Sequence, residues 1–351
     1  MTALGAYLHI PFCARRCDYC AFATWTDRDD LIDAYLDALA TDVAGAVAAG
    51  AGPFTSVFVG GGTPTRVPPE RLAAVLARLP LAPGAEVTTE ANPDDVTVAS
   101  LQPLVDAGLN RVSLGVQSFR PHVLAALGRT HDAAHVEAAV AGARAAGVAR
   151  LNVDLIYGAA GETIEDWVAT LEAAVGLEPD HVSAYALTVE PGTPLADQPD
   201  RHPDDDDQAD KYVVADEILT GAGLANYEIS NWAEPGAECR HNLLYWSQGD
   251  YLGFGCAAHS HRAGRRWWNV RTPERYVDLV TRGEPPVAGD ERLDTEARRR
   301  EALKLAVRTR AGVPASAVPA EVAHLVRVEG DRATLTREGR LLANEVAVRL
   351  G

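Results

Sequence analysis

Through the first half of the chain, short apolar runs alternate with stretches whose apolar residues recur at helical spacing. That is the rhythm of β–α units that build a parallel sheet. Six runs read as strands: AYLHI (6–10), SVFVG (56–60), AEVTTE (85–90), NRVSLGV (110–116), VARLNVDLIYG (148–158) and HVSAYALT (181–188). Between the first two, Leu31, Tyr35, Leu39, Val43 and Val47 repeat every four residues, which predicts a helix with one face packed on the sheet. The crossovers near 69–79, 97–107, 132–146 and 162–175 look similar but are shorter and rich in Ala. Six such units predict an α/β fold, a partial or complete β/α barrel, with chemistry at the C-terminal ends of its strands.

The stretch DQPDRHPDDDDQAD (197–210) breaks this rhythm. It reads as a solvated loop whose acids precede the helix KYVVADEILTGAG (211–223). From about 225 to 275, aromatic residues, glycines and histidines follow without clean periodicity. EARRREALKLAVRTRAGV (296–313) and GDRATLTREGRLLANEVAVRL (330–350) then resume helix and short-strand patterns, a small helical or winged appendage. The division expected is therefore 1–200 for the barrel, 201–290 for an extension and 291–351 for the C-terminal domain.

At 351 residues the chain can bury one large core with appendages. Its 32 Lys and Arg stand against 49 Asp and Glu, and a net charge of −17 repels phosphate backbones, which argues against nucleic-acid binding. No run reaches the roughly 18 apolar residues of a membrane span, and the N-terminus has no basic segment followed by a long apolar one. A cytoplasmic protein, not an integral membrane protein, is expected. In that reducing compartment clustered cysteines are metal ligands or redox groups before they are disulfides.

Three of the five cysteines form Cys13-x3-Cys17-x2-Cys20 directly after the first strand, at the functional mouth of the barrel. A four-iron cluster held by three thiolates keeps one iron open for a further ligand. The alternative is a zinc site completed by His9 or a distant Cys, although no second ligand pair is visible. Cys239 and Cys256 read as small buried hydrophobes. At the ends of later strands come Gly60, Gly61 and Gly62 in GGGTP, where the backbone can approach a ligand, and Glu90 in EANP. Gln117 in VQSF, Arg129 in LGRTH and Asp154 in NVDLIYG follow, and Asp154 within an apolar strand needs a hydrogen-bonding partner. In HNLLYW, His241 and Tyr245 would share one helical face with Trp246 nearby. An imidazole suits heme iron and aromatic rings suit a porphyrin, though the same residues serve equally to pack a junction between barrel and tail. His259, beside Cys256, is a second ligand candidate.

CxxxCxxC with Tyr19 before its last cysteine, followed by GGGTP, resembles the radical S-adenosylmethionine (SAM) superfamily. The resemblance implies a partial (β/α)6 barrel and a [4Fe-4S] cluster on Cys13, Cys17 and Cys20. Its open iron would take SAM and supply the electron that cleaves the sulfonium. SAM contacts are implied at Tyr7, Tyr19, Gly61, Gly62, Thr63, Glu90, Gln117, Arg129 and Asp154. Over nearly the whole chain the sequence is similar to the heme chaperones of the oxygen-independent coproporphyrinogen III oxidase-like family. Phe22 stands where the oxidase has a fourth cysteine, and only a dozen residues precede Cys13 where the oxidase has a covering extension. The resemblance thus implies heme as ligand, at His241, Tyr245 and Trp246, and acceptor heme proteins such as respiratory enzymes as partners. It allows a homodimer, leaves SAM cleavage regulatory or vestigial, and keeps coproporphyrinogen III dehydrogenation as the alternative, with Arg129 meeting propionates.

Overall fold

The computed structural model describes residues 3–351. The six runs form β1 (Leu4–Ile10), β2 (Phe54–Gly61), β3 (Leu81–Ala91), β4 (Arg111–Gln117), β5 (Arg150–Tyr157) and β6 (His181–Ala186). They lie parallel and adjacent in chain order. The connections carry α1 (Ile32–Ala48), α2 (Pro69–Leu76), α3 (Val98–Asp106), α4 (Pro121–Ala126), α5 (Ala133–Ala145) and α6 (Ile164–Gly176). Capping boxes at Thr97/Ser100, Asp132/His135 and Thr163/Asp166 start α3, α5 and α6, each satisfying otherwise orphaned backbone donors for about 1 kcal/mol. The sheet does not close on itself, because β1 bonds to β9 and β6 to β8.

Each strand alternates. Leu8, Val57, Val87, Val112, Val153 and Val182 are essentially fully buried on the face that meets the helices, where α1 contributes Tyr35, Leu36, Leu39 and Val43. The residues between them turn inward and are mostly polar: Tyr7, Ser113, Asn152, Asp154, His181 and Ser183 line one small chamber. Parallel sheets usually bury apolar side chains on both faces. A polar inner face is therefore built to hold something other than a hydrocarbon core.

The second half of the chain extends both edges of this sheet. α7 (Asp205–Gly221) begins within the acidic run, six residues before the helix read from the sequence. The Asp204 carboxylate accepts the Asp207 N–H at 2.9 Å, so Asp205, Asp206 and Asp207 sit in the first turn at the positive end of the helix dipole. β7 (Ala225–Glu228) and β8 (Asn231–Ala233) add antiparallel beyond β6. After α8 (Arg240–Trp246), β9 (Asp250–Phe254) runs parallel to β1 at the other edge. β10 (His259–Arg262), β11 (Arg265–Asn269), α9 (Pro273–Thr281) and β12 (Val287–Arg292) follow, the strands continuing as an antiparallel meander. The result is a 12-stranded sheet.

The tail comprises α10 (Thr295–Ala306), β13 (Val313–Pro314), β14 (Val326–Glu329), β15 (Arg332–Leu335), α11 (Arg337–Leu341) and α12 (Ala343–Arg349). Its three strands form a separate sheet over a small core of Val307, Val313, Val322, Leu325 and Val346. Arg340 fastens it to the larger body through Asp216 on α7, at 3.0 and 2.7 Å. Among the described residues no helix is long and apolar enough to cross a membrane.

Candidate functional site

The loop that follows β1 is closed by backbone hydrogen bonds at its neck: Cys13 N–H donates to Trp25 O at 3.0 Å and Trp25 N–H to Pro11 O at 2.7 Å. Cys13, Cys17 and Cys20 are free thiols, each half-buried. Burial pushes the Cys13 and Cys20 thiols above their ordinary range. The glycine segment at the end of β2 is bonded to this loop, with Gly62 N–H donating to Ile10 O at 2.7 Å and Thr63 N–H to Phe12 O at 2.8 Å. A Cβ at Gly62 would come within 2.7 Å of Phe12 O and 3.0 Å of Cys13 Sγ, so only glycine allows the approach. Among the described residues no three His, Cys, Asp or Glu side chains converge on a single metal ion. Neighbouring thiols that do not chelate one ion, in a cradle free of Cβ atoms, fit a cluster that takes one thiolate per iron.

A chain of hydrogen bonds ties three strand ends to these sulfurs. Arg129 donates to Asn92 Oδ1 at 2.7 Å, to Gly115 O at 2.8 Å and to Cys17 Sγ at 3.5 Å. Asn92 donates to Thr63 Oγ1 at 3.1 Å, and Thr63 donates to Cys13 Sγ at 3.7 Å. The sequence reading singled out Thr63 and Arg129 but passed over Asn92, although it stands in the EANP motif beside Glu90. Gln117 closes β4 with φ of 66°, a left-handed conformation unusual outside glycine, and its buried Oε1 finds no partner. Strain and an orphaned acceptor at a strand end are features that folds keep where a ligand is held.

Glu90 accepts the Gly61 N–H at 3.0 Å, and its carboxyl is pushed up to about 7, first by burial and then by the charge of Asp154. Asp154 has the partners its position demands: Ser113 Oγ donates at 2.7 Å and Asn152 Nδ2 at 2.8 Å. Burial raises its carboxyl as well. Tyr7 shares a hydrogen bond with His9 Nδ1 at 3.0 Å. Tyr19 packs beside Val123, Leu127 and Leu195.

Two cavities meet here. A cleft of about 740 Å3 is lined by Phe22, Gly61 and Glu90 together with His259, Trp268 and Arg271. A chamber of about 160 Å3 lies within the sheet, against Asp154, Arg111 and His181. Tyr7, Glu90 and Tyr245 line both. Arg111, Ser113, Asn152, His181 and Ser183 were not found from the sequence; the signal was the alternation inside strands that had been read only as apolar runs.

HNLLYW does form a helix, and α8 crosses the starts of β1–β3. Glu86 on β3 accepts the N–H groups of Arg240 and His241, both at 3.0 Å, capping α8 from outside its own segment. His241 and Tyr245 are brought together as their i, i+4 spacing implies, with Tyr245 Oη 2.8 Å from His241 Nε2. Nδ1 of His241 is taken by Ser56 Oγ at 2.9 Å, and the ring stacks on Phe58. The imidazole is 1% exposed, and burial lowers its pKa to about 3. An iron could reach His241 only by displacing Ser56 or Tyr245, which is not the open ligand that heme binding at this residue requires. Trp246 lines neither cavity, and its indole N–H has no partner.

Comparison with known proteins agrees with this arrangement. Residues 7–174 match the radical SAM superfamily. The heme chaperone HemW of Mycobacterium tuberculosis is 44% identical over 97% of this chain and 93% of its own. HemW of Bacillus subtilis is 33% identical over 97% of each. In fold, the radical SAM enzyme coproporphyrinogen III oxidase (HemN) of Escherichia coli superposes with a TM-score of 0.85 across 99% of this chain and 90% of that one, at 24% identity. With its thiol loop, glycine cradle and open (β/α)6 sheet so placed, the chain belongs to the HemW family of radical SAM proteins.

Proposed function

We propose that this protein binds heme and delivers it to acceptor heme proteins, respiratory enzymes among them, in the cytoplasm. It holds a [4Fe-4S] cluster on Cys13, Cys17 and Cys20, with SAM against Tyr7, Tyr19, Gly61, Gly62, Thr63, Glu90, Gln117, Arg129 and Asp154. The observation that carries the reading is the continuity of the thiol loop with an open, aromatic-walled cleft of about 740 Å3, within the roughly 300–1,000 Å3 of small-molecule sites. A flat macrocycle can enter such a cleft from solvent and leave it again. The relatives' name, heme chaperone, is the same function.

When bound, the cluster and SAM supply one-electron chemistry; the protein's own residues position them and limit water. Arg129 spans Asn92, Gly115 and Cys17 and so fixes the loop against β3 and β4. Glu90 and Asp154 offer carboxyls for the ammonium and ribose groups of SAM. Tyr245, on the wall between cleft and chamber, offers its ring to a ligand in either.

The test is transfer. Anaerobically reconstituted protein, loaded with hemin and mixed with apomyoglobin, is expected to give up its heme to the acceptor, read as the acceptor's Soret band. Protoporphyrinogen formation from coproporphyrinogen III, with reductant and SAM, would overturn the reading in favour of the dehydrogenase.

A further inference from the structure

We infer that His259, an exposed histidine lining the cleft, is the heme-iron ligand, with Arg271 meeting a heme propionate, and that His241 is a structural histidine. The inference rests on the heme-binding reading above and assigns its residues.

Three histidines line the cleft, and two are spoken for. His9 has Nδ1 against Tyr7 Oη at 3.0 Å and Nε2 against Ala23 O at 2.9 Å. His261 has Nδ1 against Gly249 O at 2.9 Å, while its Nε2 accepts the Gly264 N–H at 3.2 Å. Both rings are buried, 5% and 4% exposed. His259 is exposed, and neither ring nitrogen bonds to any described residue. Its plane is nonetheless held. β10 and β11 place it directly across from Trp268, and the two rings stack with centroids 5.9 Å apart at 28°. Stacking orients an imidazole without using its lone pair, which is what an axial ligand needs. Burial, and then the nearby Arg266 charge, lower its pKa and favour the neutral ring.

The surroundings suit a porphyrin with carboxylate tails. Phe22 is a large apolar side chain left 65% exposed on the thiol loop, and it shares this cleft with His259. Isolated exposed apolar residues need no explanation, but one that walls the same cavity as a stacked tryptophan offers a face to a flat ligand. Of the two arginines lining the cleft, Arg266 is already engaged by Glu291 and Glu301. Arg271 is exposed and forms no ion pair with any described residue, so its guanidinium is free for a carboxylate. Glu301, one of the two acids lining the cleft, is paired with Arg266 and accepts from Gln248 Nε2 at 2.6 Å. Tyr251 is the other candidate donor, but burial raises its phenol above the ordinary value and keeps it protonated.

The test is a hemin titration of the full chain, followed by Soret and ferric-heme EPR spectra. Wild type should bind one hemin with a histidine-ligated spectrum. His259→Ala should change that spectrum and weaken binding by about tenfold or more, ~1.4 kcal/mol, and added imidazole should restore the wild-type spectrum. His241→Gln and Tyr251→Phe should keep it. Arg271→Ala should weaken hemin by about fivefold and leave hemin dimethyl ester unaffected. An unchanged spectrum in His259→Ala, or the loss appearing instead in His241→Gln or Tyr251→Phe, overturns the assignment while leaving heme binding intact. A wild type that gives no stoichiometric heme spectrum overturns the inference together with the reading it rests on.

Discussion

The loop carrying Cys13, Cys17 and Cys20 and the helix carrying His241 and Tyr245 both meet the inner face of the sheet, one past the end of β1 and the other across the starts of β1–β3. They treat their polar atoms differently. The thiols have only weak donors at 3.5 and 3.7 Å and remain half-buried. On α8 the groups around His241 are matched, both ring nitrogens and the first backbone N–H groups through Glu86, and only the indole N–H of Trp246 at the far end of the helix has no partner among the described residues. Burial makes an unmatched polar group costly, so the matched imidazole of His241 is part of the scaffold, whereas the weakly matched thiols mark a place that awaits a ligand. Both segments carry residues that bind metals elsewhere. Partnering, rather than residue type, tells them apart.

Removing a thiol should have the largest effect. Cys13→Ala, Cys17→Ala or Cys20→Ala is expected to abolish cluster assembly, read as loss of bound iron and sulfide after anaerobic reconstitution. Because these side chains add little to the core, stability should change by less than about 1 kcal/mol. Glu86→Ala should do the reverse. Two backbone donors at the start of α8 lose their acceptor, which costs about 2 kcal/mol and lowers Tm by several degrees, while iron loading persists. A cluster lost in Glu86→Ala with an unchanged Tm would contradict this division.

His241 sharpens the contrast through pH. Its folded pKa of about 3 lies below the ordinary 6.5, so the unfolded chain takes up the proton first. The stability this neutral ring contributes is present above pH 6.5 and is lost as pH falls towards 3, by up to ~1.4 kcal/mol per pH unit. In urea melts, His241→Gln should therefore show a shallower loss of stability than wild type between pH 6.5 and 4; parallel curves would refute the buried neutral imidazole. The smallest stability effect belongs to Phe22→Ala, expected within about 0.5 kcal/mol of wild type. Its measurable consequence should instead be faster hemin release.

The parts of this design that are local could be read from the sequence. Cys13-x3-Cys17-x2-Cys20, the GGGTP run and the i, i+4 pair of His241 and Tyr245 are each patterns within a few residues, although what crowds Gly62 is the distant Ile10, Phe12 and Cys13. The six parallel strands were legible for the same reason, since their apolar runs and the crossovers between them are regular. Burial of His241 was not. It depends on Ser56 and Glu86, 185 and 155 residues away in the chain, reaching the same turn of α8. The edge strands were also hidden, because β7, β8, β10 and β11 are three to five residues long, too short to establish a period. The acidic run hid the helix start by six residues: its charges looked like loop, yet Asp204 caps the helix they begin.

An incompletely ligated cluster on the three thiols, opening on the cleft, would carry a direct spectroscopic signature. The direct measurement is EPR of the dithionite-reduced, anaerobically reconstituted protein with and without SAM. Binding of SAM at the open iron should shift the g values of the cluster signal. A signal indifferent to SAM, or a protein that takes up zinc at one per chain and no iron, would contradict it.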